Sequence, residues 1–365
     1  MQTINYKKHL QSKTPFNSSS TMDTEDVILT QPSDHVEEET PENNHHVALV
    51  FSELLPQLPK RYFWETRELY LWNGYWYRPR HLEAALVLHS RFEPQPDDVL
   101  LTSSMKTGTT WLKALCSCIV TRDVTQGDLL ESNHPAHFVK TLEVQVYTEN
   151  TPPDLSLVKP PRLFHTHLPY SALPQSAIDS GCKIVYITRN PKDTLVSLWH
   201  FFNHLREDEG LTRYPFEKAY EGFCEGVTLF GPFFNHVLEY FHKSKEHPDR
   251  ILFLKYEDLK KDPSGGVKRI AEFIGRSLPR DQEVEDVVWR CSLERLKNLE
   301  VNQNGVDPWV NMANSSFFRN GIVGDWKNYF TEEMAARLDA ITREKLSCSG
   351  LVFESEIGSN SSSLK

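Results

Sequence analysis

Residues 98–115 constrain this chain most. A short apolar run, residues 98–103, stops at a glycine-containing turn and leads into Trp111-Leu112-Lys113-Ala114-Leu115, whose apolar spacing is helical. This is a strand–loop–helix unit, and a sheet built from such units is parallel, because the helix carries the chain back along a sheet face. Three further segments extend the pattern. Residues 162–167 read as a strand that ends before Pro169. Residues 182–188 read as a buried strand, with Pro191 placed where a helix begins. Residues 251–256 read as another, followed by a helical stretch over 266–274. No repeat of fixed period interrupts them. The expected fold is α/β: a single domain with a central parallel sheet flanked by helices, ligands lying at the carboxyl ends of the strands.

Composition narrows what such a fold can bind. The 365 residues are 39% hydrophobic and 25% charged, enough for one sizeable core. The formal net charge of −10 argues against nucleic acid and anionic membrane surfaces as partners, since both reward clustered positive charge. An anionic ligand therefore needs a local grip. No apolar run reaches the roughly 20 residues of a spanning helix, so no membrane partner is expected. The six cysteines are scattered with no secretory leader before them, which points to reduced thiols and a cytoplasmic protein. Cys116-Ser117-Cys118 lacks companions for a four-ligand set, and no metal is expected. Residues 1–46 are polar and aperiodic and read as a disordered extension, 47–357 as the folded domain, and 358–365 as a disordered tail. The first 22 residues lack Asp and Glu and carry Ser, Thr and Lys, which leaves a plastid address as the alternative location, although Arg is absent.

The turn itself, Lys106-Thr107-Gly108-Thr109-Thr110-Trp111, puts backbone N–H groups and a helix N-terminus where a phosphate or sulfate is favoured. Glycine permits close backbone approach, and Lys106 adds a mobile cation. The spacing is not that of a Walker A loop, because the Lys precedes the Gly. Taken alone, the loop is equally well read as a solvated Lys beside a helix cap. It has company, however. Arg189 ends the strand over 182–188, where it can clamp a phosphate or simply pair with Asp193, and Ser197 lies two helical turns further on. Residues 317–327 join Arg319, Gly321 and Gly324 to aromatic neighbours, which suits either a loop over a second anionic group or an ordinary connector.

These pieces in this order resemble the cytosolic sulfotransferase family, and Leu69-Tyr70-Leu71-Trp72-Asn73-Gly74-Tyr75-Trp76-Tyr77 looks most like its plant members. The resemblance runs from about Leu69 to Phe353. It implies sulfuryl transfer from 3′-phosphoadenosine 5′-phosphosulfate (PAPS) to a hydroxyl of a small, aromatic or steroid-like acceptor, with a P-loop-like loop for the phosphosulfate. By that resemblance Lys106, Thr107, Gly108, Thr109 and Thr110 hold the 5′-phosphosulfate and Trp111 stacks on adenine. Arg189, Ser197, Arg319, Asn320 and Gly321 surround the 3′-phosphate, Tyr256 lies beside the nucleotide, and His167 is the base. Phe201 and Tyr75 would line the acceptor pocket, with Trp76, Tyr77, His137, Phe138, Tyr147 and Phe202 as further aromatic candidates.

The departures from the family pattern matter too. Met105 stands where the family has Pro, Leu293 where an aromatic closes the second face of adenine, and Asn320 where a Lys adds charge. His165 is the rival imidazole, on the same strand two residues before His167. Two other classes stay in view: a small-molecule kinase, which lacks its Walker spacing and acidic metal ligand here, and a nucleotide sensor without turnover. Animal members carry a C-terminal dimer motif; here Lys327 and Thr331 remain while Glu332 and Arg337 replace its Val and Glu, which predicts a monomer.

Overall fold

Four parallel strands form the centre, and their side chains alternate between two cores as the period-two geometry of a strand requires. The computed structural model describes residues 42–121, 128–148, 154–158 and 160–353. The strands are β4 (Val99–Ser103), β5 (Leu163–Thr166), β6 (Lys183–Thr188) and β7 (Ile251–Lys255), in the spatial order β5-β4-β6-β7. Leu100, Ile184 and Tyr186 enter one core, and Val99, Leu101, Val185 and Ile187 the other. Burial on both faces is why β4 reads as a continuous apolar run. The chain moves from β4 to β5 on one side, then crosses to β6 on the other. That reversal opens a crevice at the carboxyl ends of β4, β5 and β6, where this topology places ligands.

Before the parallel sheet comes an element the expected fold did not include. Strands β1 (Lys60–Phe63), β2 (Arg67–Trp72) and β3 (Tyr75–Tyr77) form a separate antiparallel meander. Its second turn is Asn73-Gly74, with φ of 48° and 83°, the left-handed pair a tight hairpin demands. Helix α1 (Glu42–Leu54) precedes the meander and α2 (Pro79–Arg91) follows it. Because α1 begins at Glu42, the boundary expected at residue 46 is corrected to the residue before that helix. The remainder of the 1–46 extension and the 358–365 tail lie outside the described residues. Among the described residues no helix is long and apolar enough to cross a membrane.

Candidate active site

Gly108 shapes the loop between β4 and helix α3 (Thr109–Val120). Its φ of 115° is open to glycine, and a Cβ there would lie 2.9 Å from Tyr256 Cδ2 and 3.1 Å from Ile187 Cδ1. Thr107 is fully buried, and its hydroxyl donates to the carbonyls of Ser104 (2.8 Å) and Ile187 (3.0 Å). That double anchor pins the loop, so Met105 in place of a stiffening Pro does not leave it untethered. It also means that only the backbone N–H of Thr107 is left for a ligand. The Thr109 hydroxyl shares a 2.7 Å bond with Ser103, whereas that of Thr110 makes no hydrogen bond among the described residues and faces the cavity. Lys106 Nζ sits 4.0 Å from the centre of the Phe201 ring, with no carboxylate partner among the described residues. Burial, with Arg319 and Arg189 nearby, pushes its ammonium down to about 7. Such a cation is stabilised by an arriving anion.

Arg189 follows β6 directly. Its Nη2 donates to the Ile322 carbonyl at 2.6 Å and lies 3.6 Å from Asp193, and its guanidinium rests 4.5 Å over the Tyr256 ring. Its Nε is buried without a hydrogen-bond partner, a donor that an oxyanion would satisfy. Asp193 faces Arg189, and its carboxylate also accepts the backbone N–H of Gly324 (2.8 Å) and Trp326 (3.0 Å). The loop over 317–327 is held to the Pro191–Asp208 helix in this way. Arg319 is oriented by Asp325. Gly321 has φ 59° and lies against Leu293, and its carbonyl accepts the Tyr256 hydroxyl at 2.9 Å. Trp111 meets Tyr256 edge-on at 5.4 Å. Lys106, Thr110, Trp111, Arg189, Ser197, Tyr256, Leu293, Arg319 and Gly321 all line one cavity of about 400 Å³. Asn320 is not on that wall. It is exposed and lines an adjoining surface groove together with Leu293, Glu294, Lys297 and Arg319.

His167 comes directly after β5 and lines the same cavity. Its Nδ1 lies 2.8 Å from the Ser103 carbonyl. A carbonyl only accepts, so Nδ1 carries the proton and Nε2 keeps its lone pair. Burial, aided by the cations Lys113 and Lys106 and by His236, pushes the imidazole down to about 3. Its backbone N–H donates to Glu143 Oε1 at 2.7 Å, while Thr166 donates to the other carboxylate oxygen. His165 is different in kind: both of its ring nitrogens are engaged, with Ser103 Oγ and Thr141 Oγ1, each at 3.0 Å. Lys113 donates to the same Thr141 hydroxyl at 2.9 Å. A polar chain therefore runs from Lys113 through His165 to Thr109 behind the loop. Sequence reasoning missed Glu143, Thr141 and Lys113, whose apolar surroundings gave no motif.

Aromatic side chains form part of the remaining wall. Phe201, Phe202, Phe230, Trp309 and Phe317 line it. Tyr75 does not. It is buried in the meander and donates to Glu239 at 2.7 Å, so its assignment to the acceptor pocket is corrected. Trp76, Tyr77, His137, Phe138 and Tyr147 are likewise absent from the lining. His134, His137 and Asp307 bring three potential ligand atoms within 4.8 Å of one another. The Nδ1 of His134, however, accepts the Ala136 N–H at 3.2 Å, so its Nε2 presents a proton and not a lone pair.

Cationic groups at the ends of two neighbouring strands, a lone-pair imidazole at the end of a third, and a cavity between them form a site suited to an anionic ligand beside an apolar one. Residues 96–350 match the sulfotransferase domain model. The chain is 41% identical over 307 residues to cytosolic sulfotransferase 12 of Arabidopsis thaliana, covering 83% of this chain and 93% of that one. It is 42% identical over 294 residues to flavonol 4′-sulfotransferase of Flaveria chlorifolia, covering 78% and 90%. The crystal structure of a mouse sulfotransferase complexed with PAP superposes with a TM-score of 0.62 at 29% identity, covering 77% of this chain and 95% of that one. The chain belongs to the plant cytosolic sulfotransferase family. It is a PAPS-dependent transferase.

Proposed function

We propose that the chain transfers the sulfuryl group of PAPS to a hydroxyl of a small, flat, largely apolar acceptor, with His167 as general base and Lys106 stabilising the departing phosphate. The observation that carries this reading is the His167 hydrogen bond to the Ser103 carbonyl, which leaves Nε2 as an acceptor on the cavity wall. The residues fit the nucleotide: Arg189 keeps a buried, unsatisfied Nε, Lys106 has no carboxylate, and Gly108 leaves room that a Cβ would fill. When bound, PAPS supplies an activated sulfuryl group whose transfer breaks the sulfur–oxygen bond to its 5′-phosphate. His167 Nε2 takes the acceptor hydroxyl proton as the new sulfur–oxygen bond forms. Lys106 and the loop N–H groups meet the charge that develops on the phosphate oxygen. Arg189, Ser197 and Arg319 hold the 3′-phosphate, and Trp111 and Leu293 enclose the adenine. Phe201, Phe202, Phe230 and Phe317 accommodate a flat acceptor body, and one relative is a flavonol sulfotransferase by name.

A monomer in the cytoplasm completes the reading. Thr331 caps its own helix by accepting the Met334 N–H at 3.1 Å, and Arg337 pairs with Glu221 of the same chain at 2.6 Å, so two positions of the dimer motif are used internally. Cytosolic sulfotransferases 12 and 5 of Arabidopsis thaliana are cytosolic by name. The test is twofold. Labelled PAPS should label phenols and hydroxysteroids in the presence of the protein and not of Arg189→Ala. By calorimetry Arg189→Ala should weaken PAP by about 1.5–3 kcal/mol, the worth of a charge-assisted bond, and leave the analogue lacking the 3′-phosphate unaffected. Equal weakening of both would place Arg189 elsewhere.

A further inference from the structure

Arg78, Pro79, Arg80 and His81 follow β3 and open α2, with Pro79 at the first helical position. The Arg78 carbonyl accepts the N–H groups of His81 and Leu82 at 3.0 Å, so its backbone is fixed by the helix start. Its guanidinium is another matter. Arg78 is half-buried on the cavity wall, yet its side chain makes no hydrogen bond or ion pair among the described residues. The other arginines on that wall are engaged: Arg189 with Ile322, Arg319 with Asp325, and Arg80 with His81 at 3.1 Å. Glu209 is the nearby acid, but Arg67 holds it at 2.8 Å. Burial and the cations Arg80 and Arg67 push the Arg78 guanidinium down to about 10. Asp307 is the only carboxylate among the lining residues, and it accepts the N–H groups of Trp309 and Val310. A half-buried guanidinium with cations for neighbours is destabilising unless an anion reaches it.

We propose that Arg78 is an oxyanion subsite and that the natural acceptor is a hydroxy acid, whose carboxylate docks on Arg78 while its hydroxyl meets His167. This rests on the assignment of His167 to the acceptor hydroxyl. The planar guanidinium matches a carboxylate in a two-pronged bond, with exposed Arg80 adding charge at the rim. Phe230 stacks 5.4 Å from His81, in the helix start that follows Arg78, and 5.5 Å from His167, so one aromatic ring touches both ends of the proposed acceptor site.

The test uses para-hydroxyphenylbutyrate and its methyl ester, in which the negative charge is removed and one methyl group is added. With wild-type protein, kcat/KM for the acid should exceed that for the ester at least about tenfold. Arg78→Met should remove that preference while leaving turnover of the ester and affinity for PAP unchanged, and Arg78→Lys should restore part of it. Calorimetric titration of the PAP-loaded protein with the acid provides a second readout, independent of transfer: binding should weaken about tenfold or more in Arg78→Met. A wild-type preference for the ester, or equal loss on acid and ester in Arg78→Met, overturns the subsite. Binding of the acid through Arg78 without any sulfation would support the subsite and count against the transfer chemistry, so the two readings fail separately.

Discussion

Replacing His167 with alanine should abolish transfer while sparing the donor. The imidazole is the proposed base, and its free nitrogen is fixed by its other bond, the 2.8 Å contact with the Ser103 carbonyl. Loss of a general base costs about 10²–10⁴ in rate, or about 2.7–5.4 kcal/mol of barrier at 1.36 kcal/mol per decade. The same change removes one neutral hydrogen bond, worth about 1 kcal/mol of folding stability. A domain stable by about 5–15 kcal/mol survives that loss, so unfolding cannot account for a hundredfold drop. Lys106, Arg189 and Arg319 are untouched, and PAP affinity should stay within about threefold, less than one charge-assisted bond is worth. The acid limb sharpens the test. Because burial holds His167 near 3 in the free protein, kcat/KM should remain high as pH falls through 6.5. Steady-state assays with labelled PAPS from pH 5 to 8, beside calorimetry and circular dichroism of the variant, measure each part. A folded His167→Ala protein with near-normal turnover, alongside a dead His165→Ala, would refute the assignment.

Other consequences can be measured directly. Gly108→Ala should cost about 1–3 kcal/mol of stability and most donor affinity, since its Cβ would meet Tyr256 at 2.9 Å on a left-handed backbone; unchanged PAP binding by calorimetry would count against the close-packed loop. Urea midpoints should fall between pH 6.5 and 5: His134 and His167 are held near 3 and His236 near 4 by burial, so the unfolded chain takes up protons that the native one refuses. Each contributes up to about 1.4 kcal/mol per pH unit over that window, and a flat profile would contradict it. Deleting residues 1–41, which stop short of α1, should leave the thermal midpoint and PAP affinity unaltered. A fall of several degrees would assign that segment a structural role.

What the sequence disclosed follows from where each residue sits along the chain. Lys106, Gly108, His167 and Arg189 fall at or just beyond strand ends, with Ser197 two turns into the helix after Arg189, and a short apolar run stopping at a Gly, Pro or Arg is visible without a fold. The acceptor wall is assembled across distance. Phe230 and Trp309 come from loops with no pattern of their own, and Arg78 was hidden at a strand–helix junction. Tyr75 misled because an aromatic count cannot tell which face of a hairpin meets the cavity; its hydroxyl goes to Glu239. The antiparallel meander did have a signal, Asn73-Gly74 between aromatic runs. Resemblance drew attention to the aromatics around that pair and away from the turn.

The donor grip and the acceptor wall are anchored differently. Lys106, His167 and Arg189 hang from β4, β5 and β6, which are hydrogen-bonded neighbours in one register, so Leu101 faces both His165 and Val185. A shift of any one strand would displace a proposed anion donor or the proposed base by about one residue rise, 3.3 Å, beyond the tolerance of an in-line transfer. Arg78, Phe230 and Trp309 hang from a helix start and two loops that the sheet does not constrain. Substitutions there can reshape the chamber while the nucleotide stays where it is. For protein engineering the consequence is a division of labour: libraries confined to residues 78–81, 229–230 and 309–317, with Lys106, His167 and Arg189 held fixed, should yield new acceptor preferences at little cost to the chemistry.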